Sequence, residues 1–410
     1  MIYNDIITNP CDVDFYKITM KAAIHKCYPE VEAEFAFTCR SPGIDFTSII
    51  NEVERQLNVC LQLTYDPTYL RFLESQKNPK FSNAFISFLR SQSWHRTKIR
   101  VALNADKSMD IRVRGIWKEI TDWEIWTLAI VSECWSRYQI DQLSTAQRKE
   151  YDEDRVGRMM ANINLLQGYP DLKFVDFGTR RRSSKIWHEQ VLRMWMECSP
   201  QNLLGTSNVM LACDLGLPVF GTHAHEWDCA HLAFTNASNA KSLAMKVWME
   251  SFGGEAGITL TDTFTTKHFL KVFNRHMANS FTGVRHDSGP WKSWGDAMIR
   301  HYQSLGIDPM TKTLLFSDGL DFPTMIEIYM YFKGRIKVKM KARIGFGCGT
   351  KVTNDTMIPA LQIVMKMVSC NGLPVMKISD EPGKMMCEYP WFSDYMLNTF
   401  DIVQNCPSPY

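Results

Sequence analysis

From residue 172 onward the chain repeats one pattern: a short apolar run, a polar or glycine-rich turn, then usually a stretch of helical periodicity. The turns fall at residues 176–182, 205–208, 221–227, 260–263, 284–289, 316–319 and 346–350. Strands that alternate with helices favour a parallel sheet, so the repetition predicts a single closed α/β barrel. The sharpest instance is 205–227. There a turn with Gly205, Ser207 and Asn208 precedes a short helix over 209–215, an apolar strand over 217–220 and a second turn carrying His223, His225 and Glu226. In such sheets ligands bind at the C-terminal strand ends, because the strand fixes direction while the loop leaves polar groups available.

The rest of the chain reads differently. Asp14 offers an N-cap to a helix opening at residue 15. Alternation over 34–40 predicts a strand, 46–63 and 69–90 read as helices, 100–104 and 110–114 bracket a turn as a β-hairpin, and the apolar run 120–135 predicts a buried helix. Residues 141–158 turn sharply charged and predict a solvated helix face between domains. Beyond Thr350, the runs 361–368 and 373–378 flank Asn371-Gly372, whose tolerance of positive φ makes it a hairpin turn. These strands are expected to pack back on the N-terminal third. The resulting scheme is an α+β domain over 1–140, a helical connection over 141–171, the barrel over 172–352 and a returning hairpin and helix over 353–410.

Composition narrows the function classes. An apolar share of 45% in 410 residues suffices for sizeable cores, and a net charge of +2 gives no reason to expect a polyanion-binding surface such as nucleic acid requires. No run of 18 apolar residues occurs, and the N-terminus lacks the basic and apolar regions of a leader, so a soluble, cytoplasmic chain is expected. The twelve cysteines form no CxxC pair and sit mostly in apolar runs, the pattern of reduced core residues.

The turns carry the candidate chemistry. Asp262, Asp287 and Asp318 supply carboxylates, Arg180, Arg181 and Arg182 form a triplet, and Gly347 and Gly349 expose backbone amides suited to an anionic oxygen. A phosphate, a diol and a divalent cation could be held together there. No Walker loop is present. Taken alone, the triplet is equally a solvated turn. His223 and His225, with His231, His286 and Asp287, also admit a barrel metallohydrolase centre, since residues at i and i+2 share one face of a strand.

The ordered set DFYKITM (14–20), DFGTRRR (176–182), GTSN (205–208), GTHAHEW (221–227), LTDTFT (260–265), GVRHDSG (283–289), FSDGLD (316–321), FGCGT (346–350) and NGLPVMKISDEPGK (371–384) resembles the nicotinate phosphoribosyltransferases. The resemblance implies an irregular α/β barrel of the type II phosphoribosyltransferase kind, packed on an α+β domain built from both chain ends. It implies an ATP-coupled, ligase-like condensation of nicotinate with phosphoribosyl pyrophosphate and Mg²⁺ in NAD salvage. His225 would be the phosphorylated histidine, with Asp262 fixing its other ring nitrogen. Asp287 and Asp318 would hold the ribose hydroxyls or the Mg²⁺ waters, while Arg180 and the amides around Gly347 and Gly349 would hold phosphate. Phe177 would stack on the pyridine ring, with Tyr16 of the partner subunit of a homodimer on the other face, and Arg285 would pair with the nicotinate carboxylate. Ser207 stands where the related nicotinamide enzymes carry an aspartate, so its neutrality favours the acid. One departure is Pro290, where the family continues HDSG with Asp. The missing carboxylate motivates a further alternative, a non-catalytic binder of pyridine mononucleotides.

Overall fold

The computed structural model describes residues 4–252, 257–335, 344–381, 385 and 387–402. In chain order the strands are β1 (Glu32–Cys39), β2 (Lys98–Leu103), β3 (Met109–Ile116), β4 (Phe174–Asp176), β5 (Leu203–Thr206), β6 (Ile258–Leu260), β7 (Gly283–His286), β8 (Thr313–Phe316), β9 (Ile344–Cys348), β10 (Ile363–Cys370) and β11 (Leu373–Pro374). Among the described residues they form two sheets, one parallel in the order β5-β4-β9-β8-β7-β6 and one antiparallel in the order β11-β10-β1-β3-β2.

The parallel strands are short, and β4, β7 and β8 are buried along their whole length, as strands covered on both faces by helices must be. Each ends where a predicted turn begins. The strand expected over 217–220 is reduced to one bridge, Thr206 to Val219. Pro218 has no N–H to continue the ladder, and the chain then bends toward the N-terminal helix, where a Cβ on Gly221 would meet the Tyr16 amide at 2.6 Å. The closed ring suggested by the turn pattern is therefore an open ladder among the described residues. Its seam is bridged by side chains, with His223 Nε2 hydrogen-bonded to Thr259 Oγ1 of β6 at 3.1 Å.

In the antiparallel sheet β10, from the far end of the chain, pairs with β1 over Ala33↔Cys370 to Cys39↔Ile363. The 2–3 hairpin forms as predicted. The second arm after Asn371-Gly372 is cut to two residues because Pro374 cannot donate. The single helix expected over 69–90 is two, Pro67–Glu74 and Asn83–Ser91, interrupted by Pro79. Helices Trp123–Asp141 and Thr145–Gln167 follow, the second closed at its start by a Ser144–Gln147 capping box and exposed over most of its charged stretch. No described helix is long and apolar enough to cross a membrane, and the eleven described cysteines are free. The last part of the 371–384 motif, from Pro382, and the tail from Val403 lie outside the described residues.

The N-terminal segment is welded to the parallel sheet. The Phe15 amide donates to Ser207 O at 2.6 Å, and Asp14 bridges to Asn208. Asp14 does not cap the helix with its side chain, because its carboxylate accepts instead from the Ser207 hydroxyl at 2.7 Å. Two residues earlier, the wholly buried Asp12 accepts from both terminal nitrogens of Arg182 at 2.7 Å. Burial alone would raise the Asp12 pKa, but Arg182 holds it at about 2. Asp12→Leu would leave a buried guanidinium without its bidentate partner, so it should cost roughly 3–5 kcal/mol in chemical denaturation at neutral pH. In the parent chain the pair's contribution is present above the ordinary carboxyl range and is lost as pH falls toward 2, since the folded-state pKa is the lower one.

Candidate active site

A cavity of about 600 Å³ opens between the C-terminal ends of the parallel strands and the face of β1 and β10. Arg180, His225, Arg285 and Asp318, from four separate turns, all line it. So do Tyr16, Phe177, Asp287, Gly347 and Gly349. Asp262 and Ser207 lie behind its wall.

At one end His225 is half-buried, with Nε2 at 2.9 Å from Asp262 Oδ1 and 3.6 Å from Asp287 Oδ2. Asp262 is itself clamped on Oδ2 by Lys377 at 2.6 Å and by the Ser288 hydroxyl at 2.7 Å. Burial would raise the Asp262 pKa, but His225 and Lys377 hold it well below the carboxylate range. Burial first, then Lys377, lowers the His225 imidazole below its usual value despite the two acids. The shift favours the neutral imidazole at pH 7, and among the described residues no carboxylate is bonded to Nδ1.

At the other end Arg285 is fixed by three neighbours: Nε donates to Ser317 Oγ at 2.8 Å, one terminal nitrogen to Thr222 Oγ1 at 3.0 Å and the other to Asp287 Oδ1 at 3.0 Å. Arg285, with His225, overcomes the burial of Asp287 and holds its carboxyl at about 2. The guanidinium carbon stands 5.7 Å from the centre of the Phe177 ring. Phe177 is placed by the turn after β4. There Asp176 accepts from the Gly178 amide at 2.8 Å and the Thr206 hydroxyl at 2.6 Å and is hydrogen-bonded to His188 at 2.6 Å. A Cβ on Gly347 would fall 2.4 Å from the Phe177 ring, so glycine there makes room for that ring.

Cations line the remaining wall, among them Arg40, Arg180, Arg181, Lys351, Lys366 and Lys377. Burial, then Arg40 and Lys377, draws the Lys366 amine down to about 7, and burial with Arg180 and Arg40 lowers Arg181 to about 10. Positive groups that depress one another in this way mark a place where a polyanion would relieve the repulsion.

The profile of the nicotinate phosphoribosyltransferase (NAPRTase) family matches residues 172–404, and that of the family's N-terminal domain matches residues 11–132. The chain belongs to the nicotinate phosphoribosyltransferase family. A nicotinate phosphoribosyltransferase of Burkholderia mallei is 36% identical over 407 residues, covering 97% of this chain and 98% of the relative. One from Pseudomonas savastanoi pv. phaseolicola is 38% identical over 410 residues, covering 99% and 97%. The crystal structure of the nicotinate phosphoribosyltransferase from Vibrio cholerae superposes with a TM-score of 0.87 at 34% identity, covering 98% of this chain and 96% of that one. The irregular barrel packed on a two-ended α+β domain is thus the family fold, although its parallel ladder stays open here.

Tyr16 lines the cavity of its own chain, since the Phe15 amide and the close approach of Gly221 hold the helix start against the parallel sheet. The metallohydrolase alternative fails on geometry: His223 is bonded to Thr259, His231 to Trp227 O and Tyr28, and His286 to Gly289 O, so they do not converge on His225. The described groups that do converge are His225, Asp262 and Asp287, whose ligand atoms lie within 4.8 Å of one another, and Lys377 and Arg285 already offset both carboxylates.

Ser207 is buried, so any influence on ring choice would pass through Asp14, to which its hydroxyl is committed. Burial, the largest influence on Asp14, raises its pKa. Ser207→Asp would place two carboxyls together in that buried spot. It should lower the melting temperature at pH 7, and less so at pH 5, where one of the pair takes a proton more readily. A nicotinate-to-nicotinamide comparison on the same variant reads its effect on selectivity.

Sequence reasoning overlooked Lys377, Ser288, Ser317, Arg40, Lys366 and Glu124, and gave Glu226 a place in its turn but no role. Lys377, Ser288 and Ser317 stand inside the quoted motifs. Arg40 and Lys366 lie on antiparallel strands or their ends, where nothing local distinguishes a cavity wall from a solvated face.

Proposed function

We propose that the chain transfers the phosphoribosyl group of phosphoribosyl pyrophosphate to nicotinate, giving nicotinate mononucleotide and pyrophosphate in NAD salvage, with ATP hydrolysis coupled through phosphorylated His225. The observation that carries this reading is the single cavity in which an aromatic slot with an arginine beside it faces a bank of cations and a carboxylate-held histidine. A volume of about 600 Å³ suits a mononucleotide-sized ligand.

Phe177 and Tyr16 sandwich the flat ring, and Arg285 pairs with its carboxylate, so the ring nitrogen is directed at the anomeric carbon. Bond breaking runs ahead of bond making. Pyrophosphate leaves with the electron pair of the C–O bond, the ribose passes through an oxocarbenium-like state, and the nitrogen lone pair forms the new C–N bond. Arg180, Arg181, Arg40 and Lys366 neutralise the departing diphosphate, while Asp287 and Asp318 orient the ribose hydroxyls. Asp287 and Asp318 also offer hard oxygen donors that suit Mg²⁺, which would supply further neutralisation of the diphosphate. Asp287 is ionised at neutral pH, and Pro290 removes a family carboxylate nearby without disturbing its ties to Arg285 and Ser317.

In the coupled cycle, Nδ1 of neutral His225 attacks the terminal phosphorus of ATP and ADP leaves. Hydrolysis of the phosphoramidate later returns the free imidazole. The protein is proposed to act in the cytoplasm and to form a homodimer. Pyrophosphate release with nicotinate, nicotinamide and quinolinate compared side by side, with and without ATP, tests the reading. Turnover is expected with nicotinate, stimulated by ATP; mononucleotide binding without turnover would overturn it in favour of a binder.

A further inference from the structure

Behind the cavity wall lies a charged group that the proposed reaction does not use. Lys17 is fully buried between two carboxylates. Its Nζ lies 2.6 Å from Glu124 Oε2 and is also ion-paired with Glu226. Each carboxylate leads to a different part of the site. Glu124 Oε1 accepts from Arg180 at 3.3 Å. Glu226 directly follows His225 in the chain and is held on Oε1 by the Trp117 indole at 2.6 Å and the Thr121 hydroxyl at 2.7 Å. Lys17 also directly follows Tyr16, which lines the ring slot. A single cation therefore joins the turn that presents Arg180, the helix start that presents Tyr16 and the turn that presents His225.

We infer that Lys17 is a positioning residue that couples the Arg180 and His225 ends of the cavity, through Glu124 on one side and Glu226 on the other. Two carboxylates this close in a buried wall repel each other unless the ammonium stands between them. Without it, Glu124 keeps Arg180 as its only cation among the described residues and draws the guanidinium away from a bound anion. Glu226, left with neutral partners, must leave the wall or take a proton, and His225 shifts with it relative to Asp262. Loss at one point thus disturbs ligand hold and histidine chemistry together. The inference rests on the roles given above to Arg180 and His225, and it is separable from them.

Lys17→Met keeps the aliphatic volume and removes the charge. It should raise KM for the substrates about tenfold and lower the ATP-stimulated kcat about tenfold. Glu226→Gln keeps hydrogen-bonding capacity toward Trp117 and Thr121 and frees only the histidine side. It should lower kcat with KM nearly unchanged, and it serves if Lys17→Met does not fold. A merely structural lysine would instead scale kcat with the amount of folded protein and leave both KM values alone; that result, or no change in either variant, overturns the coupling. Amide exchange of the ligand-free protein gives a readout independent of turnover. Lys17→Met should speed exchange at residues 177–182 and 222–227 together, and an increase at only one segment, or uniformly along the chain, argues against the inference even if the reaction proposed above proves wrong.

Discussion

Arg285→Leu should lower kcat/KM for nicotinate about a thousandfold, equivalent to about 4 kcal/mol of lost transition-state stabilisation, while the protein remains folded. The magnitude follows from what the side chain joins. Three of its five N–H groups are spent on Ser317, Thr222 and Asp287, which fixes the plane of the guanidinium beside the Phe177 ring. The remaining N–H groups lie on the two terminal nitrogens, the fork that a carboxylate accepts in bidentate fashion. Removing the side chain therefore costs the ring its anchor and also leaves Asp287 without the cation that, with His225, holds it ionised. Both losses fall on the productive complex, so kcat and KM should both deteriorate. Arg285→Lys retains a charge without the fork and should recover only part of the loss. Initial-rate kinetics with nicotinate varied at saturating phosphoribosyl pyrophosphate decide the matter, and a variant within tenfold of the parent would remove Arg285 from carboxylate recognition.

Much of this arrangement could be read from the chain because of where the polar turns fall. Strands β4 to β9 all end at turns picked out by the break from apolar run to Gly, Asp or Arg, and four of those turns deliver side chains to one cavity. Such patterning survives because a strand buried on both faces leaves little choice of residue until it emerges. The sequence was less informative where tertiary contacts override local preference. Asp14 looks like a helix cap and is instead taken by Ser207, 193 residues away. Residues 217–220 look like a strand, yet Pro218 and the press of Tyr16 against Gly221 stop the ladder after one bridge. The first third carries no visible catalytic cluster, but Tyr16, Arg40 and Glu124 line the cavity once β10 returns to pair with β1. Lys17 is a further case: nothing local in the sequence singles it out, and only the fold shows the two carboxylates that hold it in the buried wall.

His225→Ala should abolish the stimulation of transfer by ATP and leave a slower, ATP-independent transfer, because the ring slot and the cation bank do not depend on the imidazole. The nucleophile in the coupled cycle is a neutral ring nitrogen, so the protonated imidazole cannot take the phosphoryl group. Burial and Lys377 lower the pKa of His225, which keeps the neutral form populated at pH values where an ordinary histidine would already be charged. The acid limb of the ATP-stimulated rate should therefore lie below pH ~6.5, the usual midpoint for imidazole. Lys377→Met removes a cation beside the ring while leaving Asp262 and Asp287 in place, so that limb should move to higher pH. Asp262→Asn removes the main anion facing Nε2 and should move it the opposite way. A pH profile of the ATP-stimulated rate for the three proteins reads out both shifts, and limbs that coincide would show that the group titrating there is not His225.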